Sequence, residues 1–313
     1  MMVFSTLRRG ALRMTFAAYT RFWLKRFPHA VRIESTNACN ADCAICPRRK
    51  MTRPVGFMNM DLYRRLIEEC GRREVSTVHL HNYGEPLLDP DLFERIKMAR
   101  AAGIRHVRIF SNGALLTPAA GARLIESGLT EIKVSMDGLD EQTFNKIRKG
   151  LDLAQVSANL ERFVRMRNEK GRRLPRVGVV FTQTPQNEAE TPRFLEHWQS
   201  RVDKVFVTRV HNWGGRRRTG DEGKPAHNPW PCPRLWQTFT VLWDGRAALC
   251  CMDYNGDVVL GDTNRQTIFE IFNGEALARI RSCFFRNDLR EVPMCQTCSL
   301  HHRGRARRGE AGE

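Results

Sequence analysis

Acidic residues are missing from one end of this chain. None of the first 30 residues is Asp or Glu, while Arg8, Arg9, Arg13, Arg21, Lys25 and Arg26 all fall there. Long apolar runs are missing too. No stretch approaches the roughly 18 consecutive apolar residues of a spanning helix, which excludes an integral membrane helix. The basic N-terminal segment has neither the continuous apolar stretch nor the small-residue cleavage site of a secretory signal. Without an export signal the ten cysteines do not read as a disulfide framework, and a cytoplasmic protein is expected. Aromatic–basic stacking stripes and helix-turn-helix patterns are absent, which argues against a nucleic-acid-binding role.

What is present is a basic chain of 313 residues with a formal net charge of +17. That balance favours anionic or phosphorylated partners. Hydrophobic content of 42% suffices for a sizeable core. Four regions are expected: a basic extension at 1–29, a main domain at 30–220, a small domain at 221–300, and a disordered basic tail at 301–313. In the extension, Leu7, Leu12, Phe16, Phe22, Trp23 and Leu24 interleave with the cations. Residues 1–28 therefore read as a surface helix or as a peripheral contact with an anionic membrane.

Six β-branched segments recur between residues 31 and 210: "VRIEST", "VSTVHLHN", "HVRIFSNG", "EIKVSMDG", "RVGVVFTQ" and "KVFVTRV". Helical patterns separate them at 60–73, 90–102, 117–127, 140–169 with a break near Gly150, and 190–201. Thr117-Pro118 opens a helix, and Gly103 and Gly128 follow helix ends. Alternation without hairpin signals predicts a parallel sheet, an α/β fold of six βα units. Six units fall short of a closed eight-stranded barrel, so a partial, TIM-like (βα)6 barrel is expected, with its chemistry where strands run into loops. The unusual segments all follow strands: the cysteine loop, "YGEP" at 83–86, "SNG" at 111–113, "SMDG" at 135–138 and "HNWGGRRR" at 211–218.

After about residue 220 the pattern changes. "TFTVLWDGRAALCCM" predicts a β-hairpin turning at Asp244-Gly245 in a type I′ turn. A helix is expected near 267–284, followed by "PMCQTC". A small, cysteine-rich domain of this kind usually needs a metal to fold. Cys70 shares an apolar helix face with Leu62, Leu66 and Ile67, and reads as core.

Cys39, Cys43 and Cys46 are spaced Cys-x3-Cys-x2-Cys. A zinc site would need a fourth ligand, His79 or His81, and structural zinc ligands usually come in pairs. Three thiolates in one loop better suit a cubane iron–sulfur cluster with one iron left open. With "YGEP" downstream and repeated βα units, this segment resembles the radical S-adenosylmethionine (SAM) superfamily over about residues 30–210. The resemblance implies that SAM chelates the open iron. It also implies reductive cleavage to a 5′-deoxyadenosyl radical, hydrogen-atom abstraction from substrate, and an electron donor such as flavodoxin or ferredoxin.

Gly84, Glu85 and Pro86 match the superfamily's Gly-Gly-Glu-Pro segment, which receives the SAM amino group; Tyr83 stands where the pattern has its first glycine. Ser111 and Asn112 correspond to the ribose-contacting position, Ser135 and Asp137 are further contacts, and Arg148 is a partner for the SAM carboxylate. Cys232, then Gly245-x4-Cys250, then Cys295-x2-Cys298, resemble the auxiliary-cluster domain called SPASM, in its shortened "twitch" form. The resemblance implies one auxiliary [4Fe–4S] cluster with four cysteine ligands, making two clusters in all.

A saturated cluster suits electron transfer, so a radical SAM oxidoreductase is expected. It would dehydrogenate a small molecule, such as a sugar, aminocyclitol or lipid-linked metabolite, and pass the electron to the auxiliary cluster. The base is sought among Tyr83, Arg209 and His211. The arginines of 214–218 read as either a solvated loop or an anion clamp. Two other classes remain open. One is a redox-neutral or group-transferring radical SAM enzyme, such as an epimerase, for which Cys251 or Cys283 would be the hydrogen donor, or a peptide- or RNA-modifying enzyme. A zinc protein binding nucleic acid would lose affinity steeply with salt.

Overall fold

The computed structural model describes residues 27–217 and 231–302. Residues 1–26 of the N-terminal segment expected as a surface helix or a peripheral membrane contact, Arg218 and nearly all of the basic tail lie outside the described residues. No helix among the described residues is long and apolar enough to cross a membrane.

Six parallel strands form the predicted series: β1 (Ala30–Ile33), β2 (Thr77–His79), β3 (His106–Ser111), β4 (Glu131–Ser135), β5 (Arg176–Gln183) and β6 (Lys204–Arg209). The helices between them are α1 (Met60–Arg72), α2 (Leu92–Ala101), α3 (Pro118–Glu126), α4 (Glu141–Ile147), α5 (Leu153–Glu169) and α6 (Thr191–Trp198). Their starts follow from local chemistry. Asn59 accepts from the amides of Asp61 and Leu62 ahead of α1, Thr117 caps α3 with Pro118 in its first turn, and Asp152 caps α5. The break between α4 and α5 falls at Gly150, whose φ of +83° no β-carbon-bearing residue adopts cheaply.

One face of the sheet is apolar and fully covered. Val31, Ile33, Val78, Val107, Ile109, Ile132 and Val134 alternate along the strands and are all buried. Leu62, Leu66, Ile96, Leu124, Leu160 and Phe163 of α1, α2, α3 and α5 belong to the same core. Each such side chain contributes about 1.5–3 kcal/mol on burial. The sequence between the strands is therefore spent on helices that cover only this face.

The sheet does not stop at β6 or at residue 220. β7 (Thr238–Val241) pairs in parallel with β1, and β8 (Arg246–Ala248) and β9 (Val259–Asp262) extend it antiparallel. The strand order is β6-β5-β4-β3-β2-β1-β7-β8-β9. The cysteine-rich segment thus grows from the edge at which the three-cysteine loop begins. Short helices α7 (Arg234–Gln237), α8 (Ile268–Phe272), α9 (Glu275–Arg286), α10 (Pro293–Gln296) and α11 (Ser299–His302) complete it.

The β7–β8 turn differs from the expected type I′. Only Gly245 has positive φ, at +92°, and its amide donates to Leu242 O at 3.0 Å. Type I′ needs positive φ at both central residues; here a turn across Trp243-Asp244 is followed by one left-handed glycine. A β-carbon on Gly245 would lie 2.2 Å from the Asn264 side chain.

Candidate functional site

The three-cysteine loop leaves the end of β1 and is held from several sides. Asp42 N donates to Lys149 O and Ala44 N to Ile147 O, both at 2.8 Å, which docks the loop on the end of α4. Arg48 reaches back to the carbonyls of Asn37 and Cys39, each at 3.3 Å. Arg49 pairs with Asp42. Cys43 is buried, while Cys39 and Cys46 are half-buried. Burial pushes the Cys39 thiol up and the Cys46 thiol to about 11, and the neighbouring cysteines add to it. Crowded, desolvated thiols of this kind suit a cationic metal cluster, which takes the thiolate and expels the proton. Among the described residues no three His, Cys, Asp or Glu side chains gather closely enough for one metal ion.

The "YGEP" turn packs directly on this loop. Glu85 N donates to Ala38 O at 2.8 Å. A β-carbon on Gly84 would sit 2.3 Å from Thr36 O, so only glycine fits. The Glu85 carboxylate is buried and already accepts from Leu87 N (3.1 Å), Ser111 Oγ (2.8 Å) and Asn112 N (2.7 Å). Burial pushes its pKa up against those bonds. Its carboxylate and the Ser111 hydroxyl therefore hold the rim together. Asn112 remains at the loop: its side-chain amide donates to Asn40 at 2.8 Å and approaches Cys39 Sγ at 4.0 Å. Ser135 is half-buried at the end of β4, and Pro86 is buried.

Arg148 and Asp137 pair with each other. Two guanidinium nitrogens, Nε and Nη2, lie 2.6 Å from Asp137 Oδ2, and Asp137 Oδ1 accepts from Thr182 N at 2.6 Å. The third nitrogen, Nη1, points at Cys43 Sγ, 3.7 Å away. Arg148 thus places positive charge against the middle cysteine.

The base candidates fare unequally. Tyr83 is buried, its hydroxyl donates to Cys251 O, and burial pushes its pKa well above the usual phenol range. Arg209 is exposed at the end of β6 and His211 is half-buried beside Trp213. His81 is no zinc ligand: its Nε2 lies 2.7 Å from Arg32 Nη1. Within the "HNWGGRRR" segment, residues 212–217 are tied to their neighbours. Trp213 Nε1 donates to Ile45 O, Arg217 donates to Ala44 O, and Arg216 pairs with Asp257. Asn212 binds Thr297 O at 2.6 Å and Ser299 N at 2.9 Å. This segment straps the first cysteine loop to the second cysteine set.

That second set comes together. Cys232, Cys250, Cys295 and Cys298 line one pocket with Leu235, Met252, Phe284 and Met294. Cys232 precedes α7, Cys250 follows β8, and Cys295 and Cys298 flank the end of α10. Burial raises the Cys232 thiol to about 11; it pushes the Cys250 and Cys295 thiols up as well, and nearby cysteines add to each shift. Four soft ligands converging in an apolar pocket fit an iron–sulfur cluster. Cys251 turns away, its Sγ 3.6 Å from Arg234, and Cys283 is buried on α9.

A partial parallel barrel with an open three-thiol loop at its rim and a closed four-thiol pocket beside it defines a class of iron–sulfur enzyme. The profile of the Radical SAM superfamily matches residues 33–194, and that of the SPASM iron-sulfur cluster-binding domain matches residues 232–299. The chain belongs to the radical SAM superfamily and is a radical SAM enzyme with a SPASM-type domain. Its cofactors are SAM and two [4Fe–4S] clusters.

Among curated relatives, a tungsten-containing aldehyde ferredoxin oxidoreductase cofactor-modifying protein of Pyrococcus furiosus is 27% identical over 181 residues, 57% of this chain and 50% of the relative. A GTP 3',8-cyclase of Chlorobaculum tepidum is 35% identical over 137 residues, 43% of this chain and 40% of the relative. The chain thus spans half or less of these relatives' length. Among solved structures, BtrN in complex with AdoMet and 2-DOIA superposes with a TM-score of 0.60 at 19% identity, covering 87% of this chain and 93% of that one. Streptococcus suis SuiB bound to precursor peptide SuiA gives a TM-score of 0.67 at 14% identity, covering 89% and 72%. At these identities the structures establish a shared fold.

Proposed function

We propose that this chain is a radical SAM oxidoreductase that dehydrogenates a small molecule. Cys39, Cys43 and Cys46 would hold the SAM-binding cluster. Cys232, Cys250, Cys295 and Cys298 would hold the auxiliary one. When bound, SAM and its cluster supply one-electron cleavage chemistry that ends in removal of a hydrogen atom from a substrate C–H bond.

The chain's own residues do the positioning. Gly84 lets the "YGEP" turn touch the cysteine loop, and Glu85 fixes Ser111 and Asn112 at the rim. Arg148, anchored by Asp137, offsets thiolate charge at Cys43. Tyr83 and Trp213 lock the two cysteine sites in fixed relation, which a reaction using both requires.

The observation that carries the oxidative reading is the complete set of four cysteines in one pocket. A site saturated by protein leaves no iron for substrate, so electron transfer is the role it supports. The test is anaerobic incubation of the loaded enzyme with a panel of hydroxylated and aminated metabolites, read by mass. A product lighter by two hydrogens supports dehydrogenation. A product of unchanged mass in H2O that carries deuterium when made in D2O would replace it with epimerisation.

A further inference from the structure

The end of the barrel opposite the rim holds a cavity of about 480 Å³, bounded by the end of α5, the start of β5 and the residue before β6. Its polar lining is Arg167, Asn168, Arg172, Arg173, Arg176 and Asp203. Strand β5 runs for 8 residues from Arg176, so roughly 26 Å separate this opening from the far end of the strand, where the rim lies.

Arg167 is the buried member of the set, and all its nitrogens are engaged. Nε and Nη2 donate to Asn168 Oδ1 at 3.1 and 2.9 Å, Nη1 donates to Pro175 O at 3.0 Å, and Nη1 and Nη2 pair with Asp203. Asp203 also accepts from Val177 N at 2.6 Å. Arg172 N donates to Arg167 O at 3.1 Å and Arg176 N to Thr130 O at 2.9 Å. The backbone of the loop "KGRRLPR", residues 170–176, is thus fixed on both sides of the cavity.

The acids on the neighbouring elements already have partners. Asp203 is held by Arg167, Glu161 by Arg201 and Glu126 by Lys170, and Glu169 lies 3.9 Å from Arg165. Glu131 stands beside Arg176 in the strand register but is bound by Arg108. Arg172, Arg173 and Arg176 are exposed, and their side chains make no ion pair or hydrogen bond to the described residues.

Three guanidinium forks around one cavity, on a backbone already ordered, suit an anion with many oxygens. A single carboxylate satisfies one fork, whereas two linked phosphoryl groups offer oxygens to all three. The volume, about 480 Å³, lies in the roughly 300–1,000 Å³ range of small-molecule sites, and Leu174, 46% exposed, adds an apolar wall. We propose that this cavity is a second binding site, in which Arg172, Arg173 and Arg176 hold a diphosphate group, inorganic or carried by a nucleotide. The site is separate from the cysteine-bearing rim and does not rest on the oxidoreductase reading.

The test is calorimetric titration of the anaerobically reconstituted full chain with pyrophosphate, with ADP, and with malonate as a carboxylate probe. Wild type is expected to bind pyrophosphate saturably and malonate at least about tenfold more weakly. Tighter binding of ADP than of pyrophosphate would assign the site to a nucleotide, and equal or weaker binding to the inorganic group; both uphold the diphosphate. Arg172→Gln and Arg173→Gln should each weaken pyrophosphate by about tenfold. Arg173→Lys, which keeps charge but loses the fork, should weaken it by less. Arg65→Gln, at an exposed arginine of α1, should bind as wild type. Circular dichroism separates lost binding from lost folding. As a second measurement, pyrophosphate should raise the unfolding midpoint of wild type and not that of the glutamine variants. Undiminished affinity in both glutamine variants would overturn the proposal, as would equal binding of malonate or no saturable binding of pyrophosphate by wild type. A short uridine oligonucleotide that binds and that pyrophosphate fails to displace would overturn it in favour of a nucleic-acid surface.

Discussion

The Tyr83 hydroxyl donates a 2.5 Å hydrogen bond to the backbone carbonyl of Cys251, joining the "YGEP" turn to the residue beside Cys250. Tyr83 stands where the superfamily pattern has a glycine. Its ring lies 5.7 Å from Trp213, whose indole N–H binds Ile45 O, next to Cys46. The departure from the pattern thus buys a bridge between the two cysteine sites. Tyr83→Phe keeps the ring but leaves the Cys251 carbonyl unmet, at a cost of about 1–3 kcal/mol. Thermal unfolding of the reconstituted protein checks this; an unchanged midpoint would mean the bond carries no stability.

Glu34 and Arg53 form a fully buried pair, with both nitrogen–oxygen distances at 2.6 Å. Glu34 also accepts from Trp243 N, and Arg53 donates to Tyr254 O, so the pair ties β1 to the segment after β7. Arg53→Met would strand a buried carboxylate, a loss of about 3–5 kcal/mol. The double change Glu34→Gln with Arg53→Met should recover part of it. Denaturant unfolding of the three variants is the measurement, and additive losses would show that the two residues do not act as a pair.

Arg148 reaches Cys43 Sγ at 3.7 Å and is held by Asp137. Arg148→Gln should weaken loading of the first cluster while sparing the four-cysteine pocket. Iron content would then fall from about eight per chain toward about four. Arg148→Lys should retain more iron than Arg148→Gln. Equal loading in all three proteins would remove Arg148 from the site.

His79 and His81 have folded-state pKa values well below the ordinary 6.5, chiefly through burial and then through the charge of Arg32. The unfolded chain takes up protons near 6.5 and the folded chain does not. Their contribution is therefore complete above that pH and declines as pH falls below it. Stability should drop between about pH 7.5 and about pH 5.5, and His81→Asn should flatten that drop. Urea unfolding of both proteins across that range is the check; parallel curves would contradict it.

The fold was legible where pattern and punctuation agreed. Six strands and their helices lie where alternation placed them, and Thr117-Pro118 and Gly150 begin and break helices as their chemistry dictates. The set Cys232, Cys250, Cys295 and Cys298 was implied by the resemblance to the SPASM domain, and the four line one pocket. Side-chain pairing was not. Arg148 with Asp137, and Tyr83 with Cys251, depend on which loops face each other, and no local rule encodes that. The strap from Asn212 to Arg217 read as an open rim loop because its partners, Ala44, Ile45 and Thr297, lie far away in sequence. The cations on the strands, Arg32, Arg108 and Lys133, had a signal that went unused: a lone Arg or Lys between two β-branched residues in "VRI", "VRI" again at 107–109, and "IKV".

The most direct test of the central claim is anaerobic reconstitution followed by reduction with dithionite in the presence of SAM. Wild type is expected to hold about eight irons and to form 5′-deoxyadenosine. Cys43→Ala should keep about four irons and form none, and Cys250→Ala should lose its share of iron but still cleave SAM. Tight zinc in place of iron, or undiminished 5′-deoxyadenosine from Cys43→Ala, would contradict the account.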